Sequence, residues 1–307
     1  MKSPLQSIGG TPLVRLERLA EPGAADVFLK LESANPTGSM KDRMALSMIE
    51  GAERRGEIRP GGRVVDYTGG STGSSLAMVC AAKGYGARFV SADCFADEKI
   101  RTMRAFGAEV EVHESEGGKV TAALIQRLIA RSRELASEPG TFWTDQFNNP
   151  DNRAGYHGMG REILGALDGR VDAFVMGVGT GGSFSGNAEV LKERLPGIRC
   201  VAVEPAASPA LSNRGPLGGH RLEGMGAGFV PSICRMDLAD EIVAVADDEA
   251  YAAARRLAKI EGVFGGISCG ANLHAALAVA RRLGPGKRVV TVIVDSGLKY
   301  LAGDLFR

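Results

Sequence analysis

Lys41 stands between the helix-breaking run Asn35, Pro36 and Gly38 and a segment of helical period, MALSMIEGAERRG. A lysine at that junction is either an ordinary solvated charge or an amine nucleophile held at a helix start. There the positive end of the helix dipole disfavours an ammonium and lowers its pKa. Its chemistry therefore depends on its surroundings, for which three turns are candidates. GVGTGGSFSG (177–186) follows an apolar run and opens a helical one, so its N–H groups and the helix start form a phosphate cradle. TGGSTG (68–73) lacks the lysine of a nucleotide-binding P-loop, and Thr68, Ser71 and Thr72 add hydroxyls that suit a carboxylate. Capping of the following helix is the other use for those hydroxyls. VDSGLKY (294–300) places Ser296 at the end of an apolar run, where open α/β sheets bind ligands.

The phosphate could belong to more than one ligand. Gly177, Gly179 and Gly182 match the dinucleotide pattern GxGxxG, and the next apolar run ends in Glu204, near the position of a ribose-binding acid. That supports a nicotinamide-dependent oxidoreductase. The same glycines serve a monophosphate equally well, and nothing nearby suggests a hydride-transfer site.

Apolar runs of strand length alternate with helical periods, as in an α/β protein with mostly parallel sheets. RVVDY (63–67), ARFVS (87–91), EVEVH (109–113), DAFVMGV (172–178), IRCVAVE (198–204) and RVVTVIV (288–294) read as strands. Helices are expected over Asp97 to Phe106, through TAALIQRLIARSREL, over FSGNAEVLKERL, over 247–262 and over 271–283. DQFNNPDN (145–152) is dense in turn formers and marks a domain crossing. The period-free segment 205–232 is long enough to imply a functional connection.

The chain of 307 residues allows two domains, and its 44% hydrophobic and 24% charged content suits a soluble globular protein. A net charge of +1 gives no electrostatic reason to expect nucleic acid or an anionic membrane as partner. The N-terminus MKSPLQSIGG has no apolar signal-peptide core, which together with five scattered cysteines suggests reduced thiols in the cytoplasm. The four histidines form no cluster and there is no CxxC pair, so no metal site is expected.

Taken in order, IGGTPLVRL (8–16), NPTGSMKDR (35–43), TGGSTG, DQFNNPDN, GVGTGGS, AVEP (202–205), GMGAGFVP (224–231), GISCGA (266–271) and DSGLKYL (295–301) run nearly end to end. The chain thus resembles the cysteine synthase (O-acetylserine sulfhydrylase) and cystathionine β-synthase family of pyridoxal 5'-phosphate enzymes. That resemblance implies the fold type II, tryptophan synthase β-like architecture: two α/β domains with the cofactor in the cleft between them. A smaller substrate-closing domain would span 36–150, and a larger one 1–35 and 151–307. It implies that Lys41 carries the cofactor as an imine and moves the Cα proton. Gly179, Thr180, Gly181, Gly182 and Ser183 would hold the phosphate, Ser71 would touch the cofactor, and Ser296 would bond the pyridine nitrogen. Thr68, Gly69, Gly70, Thr72 and Gln146 would hold the substrate carboxylate, with Gly226 in the entrance loop. The implied activity is β-replacement on an activated L-serine through an aminoacrylate, as in cysteine biosynthesis, by a homodimer. O-acetylserine and sulfide are the first choice of substrates; homocysteine or an amine as nucleophile remains open.

Relatives usually carry TSGNTG where this chain has TGGSTG. Gly69 and Ser71 therefore replace a serine and an asparagine, which bears on the substrate more than on the cofactor. Cys269 reads as a small buried residue and His157 as structural. Arg127, Arg131 and Arg133 read as a solvated helix face, and Trp143 as packing at a strand end.

Overall fold

The computed structural model describes residues 3–307. Along the chain, β1 (Leu13–Arg15) and β2 (Asp26–Leu31) precede α1 (Lys41–Arg55). Then follow β3 (Arg63–Tyr67), α2 (Ser71–Lys83), β4 (Gly86–Ala92), α3 (Asp97–Ala105), β5 (Glu109–His113), α4 (Ala122–Ala136) and β6 (Thr141–Trp143). The short α5 (Pro150–Ala154) and α6 (His157–Ala166) lead to β7 (Ala173–Gly177), α7 (Gly182–Arg194) and β8 (Arg199–Pro205). The chain closes with β9 (Glu241–Val245), α8 (Asp247–Arg256), α9 (Ile267–Leu283) and β10 (Arg288–Ile293).

The strands form two sheets, one of order β1-β2-β10-β7-β8-β9 and one of order β5-β4-β3-β6. Only the β1–β2 pair is antiparallel. Every residue of β7 is buried, which fits a continuous apolar run covered by helices on both faces. The mixed α/β class with mostly parallel sheets therefore holds.

Helices begin earlier than periodicity suggests. α7 starts at Gly182 instead of Phe184, and α9 at Ile267 instead of Ala271. Glycine hides these starts from a periodicity reading, yet packing demands it. A Cβ on Gly270 would lie 1.9 Å from the Ala250 carbonyl oxygen, so only glycine lets α9 lie against α8.

A buried charge network fixes the start of α1. Arg43 donates from Nε and Nη2 to Glu32 at 2.7 and 2.8 Å, and from Nη1 and Nη2 to Glu162 at 2.8 Å each. Lys30 Nζ also reaches Glu162, at 2.5 Å. Glu32 is fully buried and satisfied further by Thr11 and Asn35. Two cations thus face two anions beside Lys41, in a place where a lone charge is expensive.

Arg43→Met should therefore cost about 3–5 kcal/mol of unfolding free energy, measured by denaturant titration. Burial pushes the Glu162 carboxyl up, but its bonds to Arg43 and Lys30 outweigh that and bring it from 4.5 down to about 2. A folded pKa below the unfolded one gives stability above the unfolded value and loses it as pH falls. Thermal unfolding temperatures should accordingly decline between pH 4.5 and about 2, and less so in Glu162→Gln.

Candidate active site

The carboxyl ends of β3, β6, β7 and β10 meet at a cleft that opens to solvent. Lys41 reaches it from the first residue of α1. The preceding loop is clamped to the end of β10: Met40 N–H donates to the Val294 carbonyl at 2.8 Å and Ser296 N–H to the Gly38 carbonyl at 2.9 Å. Lys41 is only 7% exposed. Burial lowers its ammonium from 10.5 to about 8, with nearby Asp295 opposing the shift. The sequence points to a depressed amine through the helix dipole; burial is the larger cause.

Beside it, Thr68 shapes the 68–73 turn from within. Its Oγ1 accepts from the N–H groups of Gly70 and Gly73 at 2.9 and 2.8 Å. The hydroxyl is therefore spent on the loop and does not line the cleft, whereas Gly69, Gly70, Ser71 and Thr72 do. That leaves the Ser71 and Thr72 N–H groups at the start of α2, which have no acceptor within the helix and can receive a carboxylate. Thr72 Oγ1 donates to Gln146 Oε1 at 3.1 Å, which brings the turn and Gln146 together. Asp66 holds the backbone of Gln146 at 3.2 Å and also accepts from Thr144 Oγ1 and, at 3.3 Å, from Trp143 Nε1. Burial pushes the Asp66 carboxyl up to about 7.

At the other end of the cleft lie Gly179 and Thr180, with Gly181, Gly182 and Ser183 just behind at the start of α7. A Cβ on Gly179 would meet the Gly224 carbonyl oxygen at 2.2 Å, and Gly181 has φ +83°. Ser183 Oγ is buried without a hydrogen-bond partner. A phosphate at this helix start would satisfy it, so the residues present fit a phosphorylated cofactor. Asn152 Nδ2 joins the two ends, donating to the Gln146 carbonyl at 2.7 Å and to Thr180 Oγ1 at 3.1 Å.

Besides Thr68, two more expected residues stand elsewhere. Ser296 lies outside the cleft lining, and its Oγ accepts from the Leu298 N–H at 3.2 Å as the cap of a short turn. Asp295 and Val294, just beyond β10, line the cleft in its place. The cleft hydroxyl absent from the sequence reading is Ser268, in the first turn of α9. Gly226 lines a smaller cavity behind Gly179. Its carbonyl accepts from His220 Nε2 at 3.0 Å, while His220 Nδ1 accepts from the Leu222 N–H. Tyr300, from the VDSGLKY turn, also lines the cleft, as do Lys99 and Glu223, which no motif announces.

Other candidates take structural places. Glu204 is buried and accepts from Leu211 and Ser212, which leaves it no freedom to bind a ribose. That removes the dinucleotide reading of GxGxxG. His157 pairs with Glu189 at 2.9 Å, and Arg131 with Glu111 and Glu134. All five cysteines are free thiols. Burial pushes Cys80, Cys200 and Cys269 up to about 12, and Cys94 and Cys234 to about 11. Among the described residues no cluster could hold a metal ion, and no helix is long and apolar enough to cross a membrane.

The chain is similar in sequence and fold to known proteins. The family described as pyridoxal-phosphate dependent enzyme matches residues 4–295. A cysteine synthase of Staphylococcus aureus is 45% identical over 303 residues, covering 98% of this chain and 96% of that protein. A probable cysteine synthase of Bacillus subtilis is 43% identical over 304 residues, with 97% and 96% covered. The crystal structure of a hydrogen sulfide-producing enzyme from Fusobacterium nucleatum superposes with a TM-score of 0.90 at 40% identity, covering 98% of this chain and all of that one. A family match over residues 4–295 and 45% identity across nearly the whole chain mean that this protein belongs to the pyridoxal-phosphate dependent enzymes, beside the cysteine synthases.

Proposed function

We propose that the protein catalyses β-replacement on an activated L-serine, with O-acetyl-L-serine as donor and sulfide as nucleophile, giving L-cysteine. The observation that carries this reading is Lys41. Its amine is buried and depressed to about 8, and it shares one cleft with seats for a phosphate and a carboxylate. Pyridoxal phosphate, when bound, supplies the electron sink for the charge that develops at the substrate Cα. Gly179, Thr180, Gly181, Gly182 and Ser183 would hold its phosphate and Lys41 Nζ its aldehyde carbon.

The turn 69–72 and Gln146 receive the substrate carboxylate and so present the Cα–H to Lys41. Lys41 Nζ would take that proton and later return it, a task suited to an amine of this pKa at neutral pH. Ser268, in place of Ser296, would be the neutral hydroxyl that holds the cofactor's ring nitrogen. Tyr67, Phe95, Val120, Ile125 and Phe147 form an apolar wall that excludes water from the β-carbon. We read the enzyme as a homodimer in which 36–150 closes on 1–35 and 151–307 as the carboxylate docks.

Adding O-acetylserine to the cofactor-loaded protein should change its visible spectrum, and sulfide should restore it with release of cysteine. A spectrum unmoved by O-acetylserine would refute that donor. Lys41→Ala should cut turnover roughly a thousandfold or more while the protein still folds. The two serines separate in the absorption of the bound cofactor: Ser268→Ala should shift it or weaken binding, and Ser296→Ala should leave it as in the parent.

A further inference from the structure

Lys99 projects from α3 into the cleft wall and is 2% exposed. Its alkyl stem lies against Gly70, where a Cβ would meet Lys99 Cδ at 2.4 Å and Cβ at 2.6 Å. Gly70 also has φ +116°, so both space and backbone require glycine under that stem. The ammonium donates to Glu223 at 2.6 Å and to the Tyr300 hydroxyl at 3.0 Å, and stands 4.3 Å from the Tyr300 ring centroid. Tyr300 in turn donates to Asp295 Oδ2 at 2.9 Å, and Ser71 Oγ donates to the same oxygen at 3.3 Å. These contacts close a ring: Gly70, Lys99, Tyr300, Asp295, Ser71 and back to Gly70 through the chain. The ring spans the first turn of α2, whose N–H groups form the carboxylate seat, and ties it to the end of β10.

We propose that Lys99 is a positioning residue that holds the carboxylate-binding turn against the Asp295 wall of the cleft. The inference rests on the amino-acid reading of the site given above. Lys99 does not need to touch substrate. It presses on Gly70 from behind and anchors to Glu223 and Tyr300 on the far side, so the seat keeps its shape before the carboxylate arrives. Without the ammonium, the turn keeps its cap from Thr68 and the single Ser71–Asp295 bond but loses the brace that runs through Tyr300 and Glu223.

The test compares L-alanine with L-alanine methyl ester by visible titration of the cofactor-loaded enzyme. Alanine has no leaving group, so its binding isolates docking, and the ester lacks the carboxylate. Lys99→Met should raise the apparent Kd for alanine roughly tenfold or more and leave the ester nearly unchanged. That single change leaves the partly buried Glu223 without its cation, so Lys99→Met with Glu223→Gln carries the same comparison without an unpaired charge. A parental acid-to-ester preference in either variant overturns the role of Lys99. So does failure of both variants to yield cofactor-bearing protein, since Lys99 would then serve folding alone. If the parent responds to neither compound, the amino-acid reading of the site fails and takes this inference with it.

Discussion

Desolvation of the Lys41 amine is the constraint to which the surrounding structure answers. Taking an ammonium out of water favours the neutral base, and the protein allows Asp295 only partly to reverse this. Holding such a group in place requires a backbone that cannot relax toward solvent. The loop before it is pinned to the end of β10, and the helix after it is pinned by Arg43 to Glu32 and Glu162. A mobile lysine at this point would find water and recover its ordinary pKa. The cost of burial is thus met by a rigid, fully paired charge network two residues further along.

Around that amine the chain uses one local device repeatedly. α2, α7 and α9 each point a first turn at or just behind the cleft, with glycines where the backbone must come close. The unpaired N–H groups of a helix start favour anions without burying a positive side chain. The two anion seats are also joined mechanically, since the Asn152 amide bonds both Gln146 and Thr180.

The glycine turns were legible because strand–glycine–helix junctions have a local signature, and the turns fall where the sequence places them. Lys41 was legible only as one of two possibilities, until its burial decided between them. Ser296 shows where local reading stops: the DSG turn lies at the correct strand end, but which of two adjacent side chains faces inward depends on the register of β10 and the turn after it. Ser268 was hidden because GGISCG has no helical period, although α9 begins inside it. Lys99 and Glu223 lie far apart in sequence and meet only through packing, so no spacing could pair them. Glu204 misled in the opposite way, since its position matched a motif while its bonds serve a neighbouring loop.

The state of the five cysteines has a bearing on the proposed chemistry. Each thiol is held well above neutral by burial, so almost none of their sulfur is thiolate at physiological pH. Only the thiolate attacks disulfides, persulfides or oxidants at an appreciable rate. A protein bathed in reactive sulfur can thus keep its own sulfur atoms out of the exchange, by dielectric shielding instead of by doing without cysteine.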